Sequence, residues 1–313
     1  MLTRNIAKKF FFVTVFCAFS SIFAGCSFVS SNNADPSGQS SGNSSSGYAK
    51  PKIVGTIKSD EIDESSGLVQ SRCNADVFWT HNDSGDGEFI YAISEKGERL
   101  GTWKISGAKN NDWEDLATSK DLSGKCFLYL GDIGNNNQKK NQLTIYKVAE
   151  PQVTGSDKTS NRKNPLPTEP AEAIRFSYPD RIYDAETLLV HPVTGDIYVL
   201  SKQLNGASQV FKIGEKAENV GSVKVPAVPN GFLTGGEISP DGTRIVICDY
   251  VGAYEISLPE NSKNFDDIWT QEPVKIELGE REQGEAVCYS ADGRRIYATS
   301  EKKNSPVIRV ERK

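Results

Sequence analysis

Ser66, Glu114, Glu186, Thr234 and Glu285 hold one equivalent place in a repeating strand pattern, at separations of 48, 72, 48 and 51 residues. Three carboxylates and two hydroxyls are therefore expected to meet at one opening. The ends of the following strands add Asn82, Asp83, Asp132, Lys202, Asp249 and Glu301. Oxygens crowded in this way repel one another unless their pKa values rise, a lysine such as Lys202 reaches across, or a hard cation such as Ca²⁺ sits between them. Glu114, Glu186 and Glu285 are the candidate metal ligands. The competing account is structural: each glutamate accepts hydrogen bonds from backbone NH groups of the neighbouring unit and staples it in place.

Asp83, Asp86 and Glu88 form an alternative calcium set, although their spacing is not that of an EF-hand loop and a solvated turn fits the stretch as well. Trp113 adjoins Glu114 and is a candidate platform for a sugar or another ring, the alternative being packing between units. Only two histidines occur, His81 and His191, and no Gly-x-Ser-x-Gly elbow, which argues against a Ser-His-Asp hydrolase. His191 precedes Pro192 in a turn and is expected at the surface. The sequence carries neither a zinc motif nor a phosphate-binding loop.

The elements that must position these residues are short β-branched and aromatic runs. Second strands read Val77 to Thr80, Phe127 to Leu130, Ile197 to Leu200, Ile245 to Cys248 and Ile296 to Thr299, too short for helices. Third strands carry an aromatic residue, a spacer and a branched aliphatic, as in Tyr91-Ala92-Ile93, Tyr146-Lys147-Val148, Phe211-Lys212-Ile213 and Tyr254-Glu255-Ile256, with Ile308-Arg309-Val310 as a weaker copy. Alternation places both on one face. Glycine at Gly195, Gly242 and Gly293 supplies the positive φ of tight turns. The last unit runs out of chain before a fourth strand, and Lys52 to Ile57 is placed to supply it. The pattern predicts an all-β protein, a β-propeller of five four-stranded blades closed by the N-terminal strand. Six blades are the alternative, with a degenerate unit hidden between Glu150 and Pro170. The prolines of that stretch favour a surface loop.

The 313 residues carry a formal charge of −5 and a pI near 5.3, which excludes a basic nucleic-acid surface. Arg4, Lys8 and Lys9 precede an apolar run from Phe10 to Phe23, the pattern of an export signal and too short for a membrane span. Residues 27–47, rich in Ser, Asn and Gly, bury almost nothing and read as a flexible tether of roughly 25 Å mean span. Of the cysteines left after the signal, Cys73 and Cys126 lie beside equivalent turns of neighbouring units and are expected to pair in an oxidising compartment. Cys248 and Cys288 read as buried thiols.

Phe23-Ala24-Gly25-Cys26 resembles the lipobox of bacterial lipoproteins, with Phe where Leu is usual. That resemblance implies a signal peptide over residues 1–25, a lipid on Cys26, a tether over 26–50 and a propeller over 51–313. With Ser27 next, it implies an outer-membrane address if the cell is Gram-negative. Thr80-His81-Asn82-Asp83-Ser84-Gly85-Asp86, Asp112-Trp113-Glu114-Asp115-Leu116-Ala117, Gly131-Asp132-Ile133-Gly134-Asn135, Asp184-Ala185-Glu186-Thr187-Leu188-Leu189 and Ser239-Pro240-Asp241-Gly242 resemble motifs of a family of secreted bacterial β-propellers. More distantly the chain is similar to phytase-like, TolB-like and WD40-type propellers. Fold alone does not choose among their activities. The expected function is a lipid-anchored, monomeric module outside the cytoplasm that binds a small-molecule or protein ligand at an acidic, calcium-capable mouth. The alternatives are a metal-assisted hydrolase such as a phosphoesterase, using Glu114, Glu186 or Glu285 as ligand or base, and an envelope scaffold with no small-molecule site.

Overall fold

A computed structural model describes residues 47–203, 207–214, 216–225 and 232–313. The expected signal peptide, the expected lipid attachment at Cys26 and residues 27–46 lie outside the described residues. Strand β1 (Lys52–Thr56) comes first in the chain and last in the ring. Blade 1 is β2 (Ser65–Gln70), β3 (Val77–Asn82), β4 (Phe89–Ser94) and β5 (Arg99–Ser106); blade 2 is β6 (Trp113–Lys120), β7 (Cys126–Asp132), β8 (Leu143–Ala149) and β10 (Glu172–Phe176). Blade 3 is β11 (Ala185–Val190), β12 (Ile197–Ser201), β13 (Ser208–Ile213) and β14 (Ala217–Val223), and blade 4 is β15 (Leu233–Ile238), β16 (Arg244–Asp249), β17 (Ala253–Ser257) and β18 (Val274–Ile276). In blade 5, β19 (Gly284–Tyr289), β20 (Arg295–Ser300) and β21 (Pro306–Glu311) are completed by β1, which pairs antiparallel with β21. The fold is a five-bladed β-propeller.

Each blade is buried on both faces, which is why its strands read as continuous apolar runs. Leu128 and Leu130 point into the core shared with blade 1, whereas Phe127 and Tyr129 point toward blade 3. Ile245 and Ile247 divide from Val246 and Cys248 in the same way. The aromatic and aliphatic pairs of the third strands all face the preceding blade: Tyr91 and Ile93, Tyr146 and Val148, Phe211 and Ile213, Tyr254 and Ile256 each share one inter-blade core. Five such cores hold the ring. Burying each large side chain is worth about 1.5–3 kcal/mol.

The segment from Glu150 to Pro170 is not a blade. It contributes a short 3₁₀ turn, Gly155–Thr159, and β9 (Leu166–Pro170), which pairs parallel with β5 as a fifth strand outside blade 1. Arg162 pins the segment by donating to the Glu61 carbonyl and pairing with Asp86 at 2.8 Å. At the other seam Tyr48, ahead of Pro51 in the chain, is already packed on the ring. Tyr48 bridges to Arg312, is buried, and donates to Glu255 Oε1 at 2.5 Å beside Tyr289 and Arg312.

Cys73 and Cys126 are disulfide-bonded, with Cα atoms 6.1 Å apart, joining blades 1 and 2; Cys248 and Cys288 are free and buried. The bond closes a loop with a sequence separation of 53. Replacing both cysteines by serine is expected to cost about 2–4 kcal/mol in a denaturant melt. Addition of reductant should bring the native protein to the same midpoint.

Near the axis the innermost strands crowd. A Cβ on Gly235 would lie 2.5 Å from the Glu285 carbonyl oxygen, so only glycine permits the approach of β15 to β19. The innermost strands are buried over nearly their whole length, and the mouth at their N-terminal ends is called the cup below.

Candidate functional site

Each innermost strand opens with a β-bulge, and the extra residue in the five bulges is Ser66, Glu114, Glu186, Thr234 or Glu285. A bulge re-aims a side chain that regular pleating would turn into a blade interface. The five positions expected to be equivalent are thus equivalent in backbone conformation. Their chemistry divides by side-chain type. Ser66 donates to the Glu114 carbonyl at 2.6 Å and Thr234 to the Gly284 carbonyl at 3.0 Å, each tying its blade to the next. The three glutamates make no such tie among the described residues. Glu186 pairs with Lys202 through Oε1, Glu285 accepts from Gln283 Nε2 at 2.9 Å, and no hydrogen bond from a described residue reaches the Glu114 carboxylate. All three are only 5% exposed.

Stapling is done by acids the spacing argument passed over. Asp115, fully interior, accepts from Leu116 N at 2.8 Å, Leu188 N at 2.9 Å and Gly236 N at 3.2 Å, joining blades 2, 3 and 4. Glu237 accepts from Tyr289 N at 2.7 Å and pairs with Arg72 at 3.1 Å. A signal was present for both. Asp115 is the one acid among Gly67, Asp115, Thr187, Gly235 and Ala286, and Glu237 the one acid among Val69, Ala117, Leu189, Glu237 and Cys288.

At the second-strand ends two registers must be separated. Asn82, Asp132, Ser201, Asp249 and Ser300 pair with the residues before the bulges. Their side chains turn back on their own blades. Asp132 accepts from Asp112 N and Asn111 Nδ2, and Asp249 from Val251 N, Gly252 N and Tyr254 OH. Asp132 and Asp249 therefore tie loops and are not mouth ligands, correcting the expectation. One residue further on, Asp83, Lys202, Tyr250 and Glu301 lie beside the glutamates and one another, whereas Ile133 at the equivalent place is buried in an inter-blade core.

The other expected sites also change. Trp113 is wholly buried, donates to the Lys109 carbonyl at 2.9 Å and meets His81 edge-on at 5.8 Å, so no ring face is free for a sugar. Asp83, Asp86 and Glu88 do not converge: Asp86 is taken by Arg162, Tyr91 and Asn82, and Glu88 lies 3.6 Å from Lys104. His191 is not a surface residue. It is 8% exposed, accepts from Thr194 N at 3.1 Å and packs on Phe265. Burial pushes His81 down to about 4, so it adds no positive charge below the cup.

Charge in the cup is poorly balanced. Burial raises Glu186 to about 7 against the pull of Lys202. Burial and Glu186 raise Glu285 to about 9, and burial and Asp83 raise Glu301 to about 7. Glu114 stands well above the carboxylate range through burial, then Glu186, Asp83 and Asp112. Lys202, which burial alone would push down, is held above its ordinary value by Glu186 and lies 5.4 Å from the Phe232 ring and 6.0 Å from that of Tyr250. Two buried oxygens here, Asp83 Oδ1 and Glu186 Oε2, have no hydrogen-bond partner among the described residues. Among the described residues, the acid triple of the cup whose oxygens lie within 4.8 Å of one another is Asp83, Asp112 and Glu114, rather than Glu114, Glu186 and Glu285.

No protein-family model matches the chain, and no curated protein matches it. Among solved structures it is similar to the soluble aldose sugar dehydrogenase from Escherichia coli, at 10% identity over 84% of this chain and 99% of that one, with a TM-score of 0.45. It is also similar to a proposed 6-phosphogluconolactonase from Bacteroides uniformis, at 15% identity over 78% of this chain and 66% of that one, with a TM-score of 0.36. At these values neither likeness bears on the chemistry of the cup.

Proposed function

We propose that the protein is a lipid-anchored binding module outside the cytoplasm whose acidic cup takes a cation or a ligand that presents one. The observation that carries this reading is the split among the bulge residues. Serine and threonine tie blades together, whereas the glutamates turn buried, weakly partnered carboxylates into the cup. Holding acids apart from backbone donors at this burial is costly, and a bound cation offsets that cost. Calcium suits the all-oxygen lining.

The anchoring part of the reading has a geometric corollary. Thr56 pairs with Pro306 next to the mouth loop, while Tyr48 bridges to Arg312 at the far end of β21. Tyr48 thus lies on the face of the ring opposite the cup. A hydrolase is the second reading, favoured by Glu186 and Glu301 both lying at about 7, where a general acid or base works best.

Calorimetric titration of the full chain with Ca²⁺ and with ethylenediammonium tests the binding reading. Heat of binding from at least one of them, lost in Glu114→Gln, is expected. No binding of either by a folded protein would overturn it.

A further inference from the structure

We infer that the cup holds its divalent cation off the axis, on Asp83, Asp112 and Glu114; the inference rests on the binding reading above and names the seat. Asp83 comes from the loop after β3, and Asp112 and Glu114 from the start of β6, so blades 1 and 2 both contribute. Their oxygens lie within 4.8 Å of one another. Three oxygens this close need only small side-chain adjustments to meet one ion at the roughly 2.3–2.6 Å of a calcium sphere.

Independent observations point to a ligand rather than to an acidic surface. Glu114 is 5% exposed and no hydrogen bond or ion pair engages its carboxylate among the described residues, although it is aimed at the other two acids. Asp83 Oδ1 is buried without a partner among the described residues. The backbone also yields to them. A Cβ on Gly134 would overlap Glu114 Oε1 and come within 2.7 Å of the Asp112 carboxylate, so glycine at this place keeps both acids in position.

The donor set selects the ion. Three carboxylates with no sulfur, and with His81 turned to the Asn82 carbonyl, favour Ca²⁺, Mg²⁺ or Mn²⁺ over zinc or copper. On the axis the position is already filled, since Lys202 pairs with Glu186. Lys140 lies 3.4 Å from Asp112 Oδ2 and also donates to the Gly134 carbonyl. Its partly exposed ammonium stands beside the seat as a competing charge that an incoming ion must displace.

The test is thermal unfolding of the chelator-treated full chain against Ca²⁺, Mg²⁺ and Mn²⁺. The wild type should melt higher as one of these ions is added. Asp112→Asn and Gly134→Ala should weaken the apparent affinity by about tenfold or more. Glu285→Gln should weaken it less, and Lys140→Met should strengthen it. A gain in affinity on removing a lysine is not a consequence of misfolding, so that variant keeps the test decisive if Gly134→Ala folds poorly. Wild-type affinity in Asp112→Asn with loss in Glu285→Gln would move the ion to the axis, overturning the seat while leaving the binding reading standing. No metal-dependent shift, with ethylenediammonium still bound, would likewise overturn the seat alone. Absence of both would overturn seat and reading together.

Discussion

Asp115→Ala is expected to destabilise the ring by about 3–5 kcal/mol, lowering the melting temperature by roughly 10 °C. The side chain accepts three backbone NH groups from three blades at a point no water reaches. Each amide left unpaired at such a place costs about 1–3 kcal/mol. Asp115→Asn should lose a large part of this, because one of its two oxygens becomes an NH₂ group that faces donors. Glu114→Gln, one residue away, should lose little, since that carboxylate ties no backbone. Denaturant unfolding of the three variants checks the ordering. Equal losses at 114 and 115 would contradict the division between staples and cup residues.

Glu285→Gln is expected to make the chelator-treated protein more stable at pH 8 by several kcal/mol, with little change at pH 5. Burial and Glu186 raise this carboxyl from an ordinary value of 4.5 to about 9, so the fold favours its protonated form. A group raised in this way contributes stability that is present below pH 4.5 and is lost progressively as pH climbs to about 9. Over that window the slope is about 1.4 kcal/mol per pH unit. Glutamine keeps the Gln283 hydrogen bond at Oε1 and has nothing to titrate, which removes this slope while those of Glu186 and Glu301 remain. Urea unfolding at the two pH values measures it. Parallel stability curves for the two proteins, or a variant weaker at pH 8, would contradict the account. Added Ca²⁺ should shrink the difference, because a cation compensates the deprotonated form.

The propeller was legible because each blade buries two faces, so its strands became short apolar runs in phase with glycine turns. Gly195, Gly242 and Gly293 do adopt positive φ. Closure by Lys52–Thr56 was legible from a last unit one strand short. β9 was not, since Leu166-Pro167-Thr168-Glu169-Pro170 has no strand alternation. It pairs only because the outer edge of β5 is free, and prolines are tolerated there.

In the cup, spacing found the five bulge residues because the bulge repeats with the blade. It erred by one residue at Asp132 and Asp249, where alignment on the conspicuous acids overrode register. The competing account gave the glutamates stapling work that falls to Asp115 and Glu237. Trp113 looked available because it neighbours Glu114 in sequence, but adjacent residues on a strand point to opposite sides.

The central claim is that the cup holds protonated, uncompensated carboxyls for a cation to take over. The most direct measurement is the number of protons released when Ca²⁺ binds the full chain near neutral pH, read from calorimetry in buffers of different ionisation enthalpy. Release of about one proton per ion, falling as the pH is raised toward 9, is the predicted result. Binding with no proton release, or no binding to the folded chain, would contradict it.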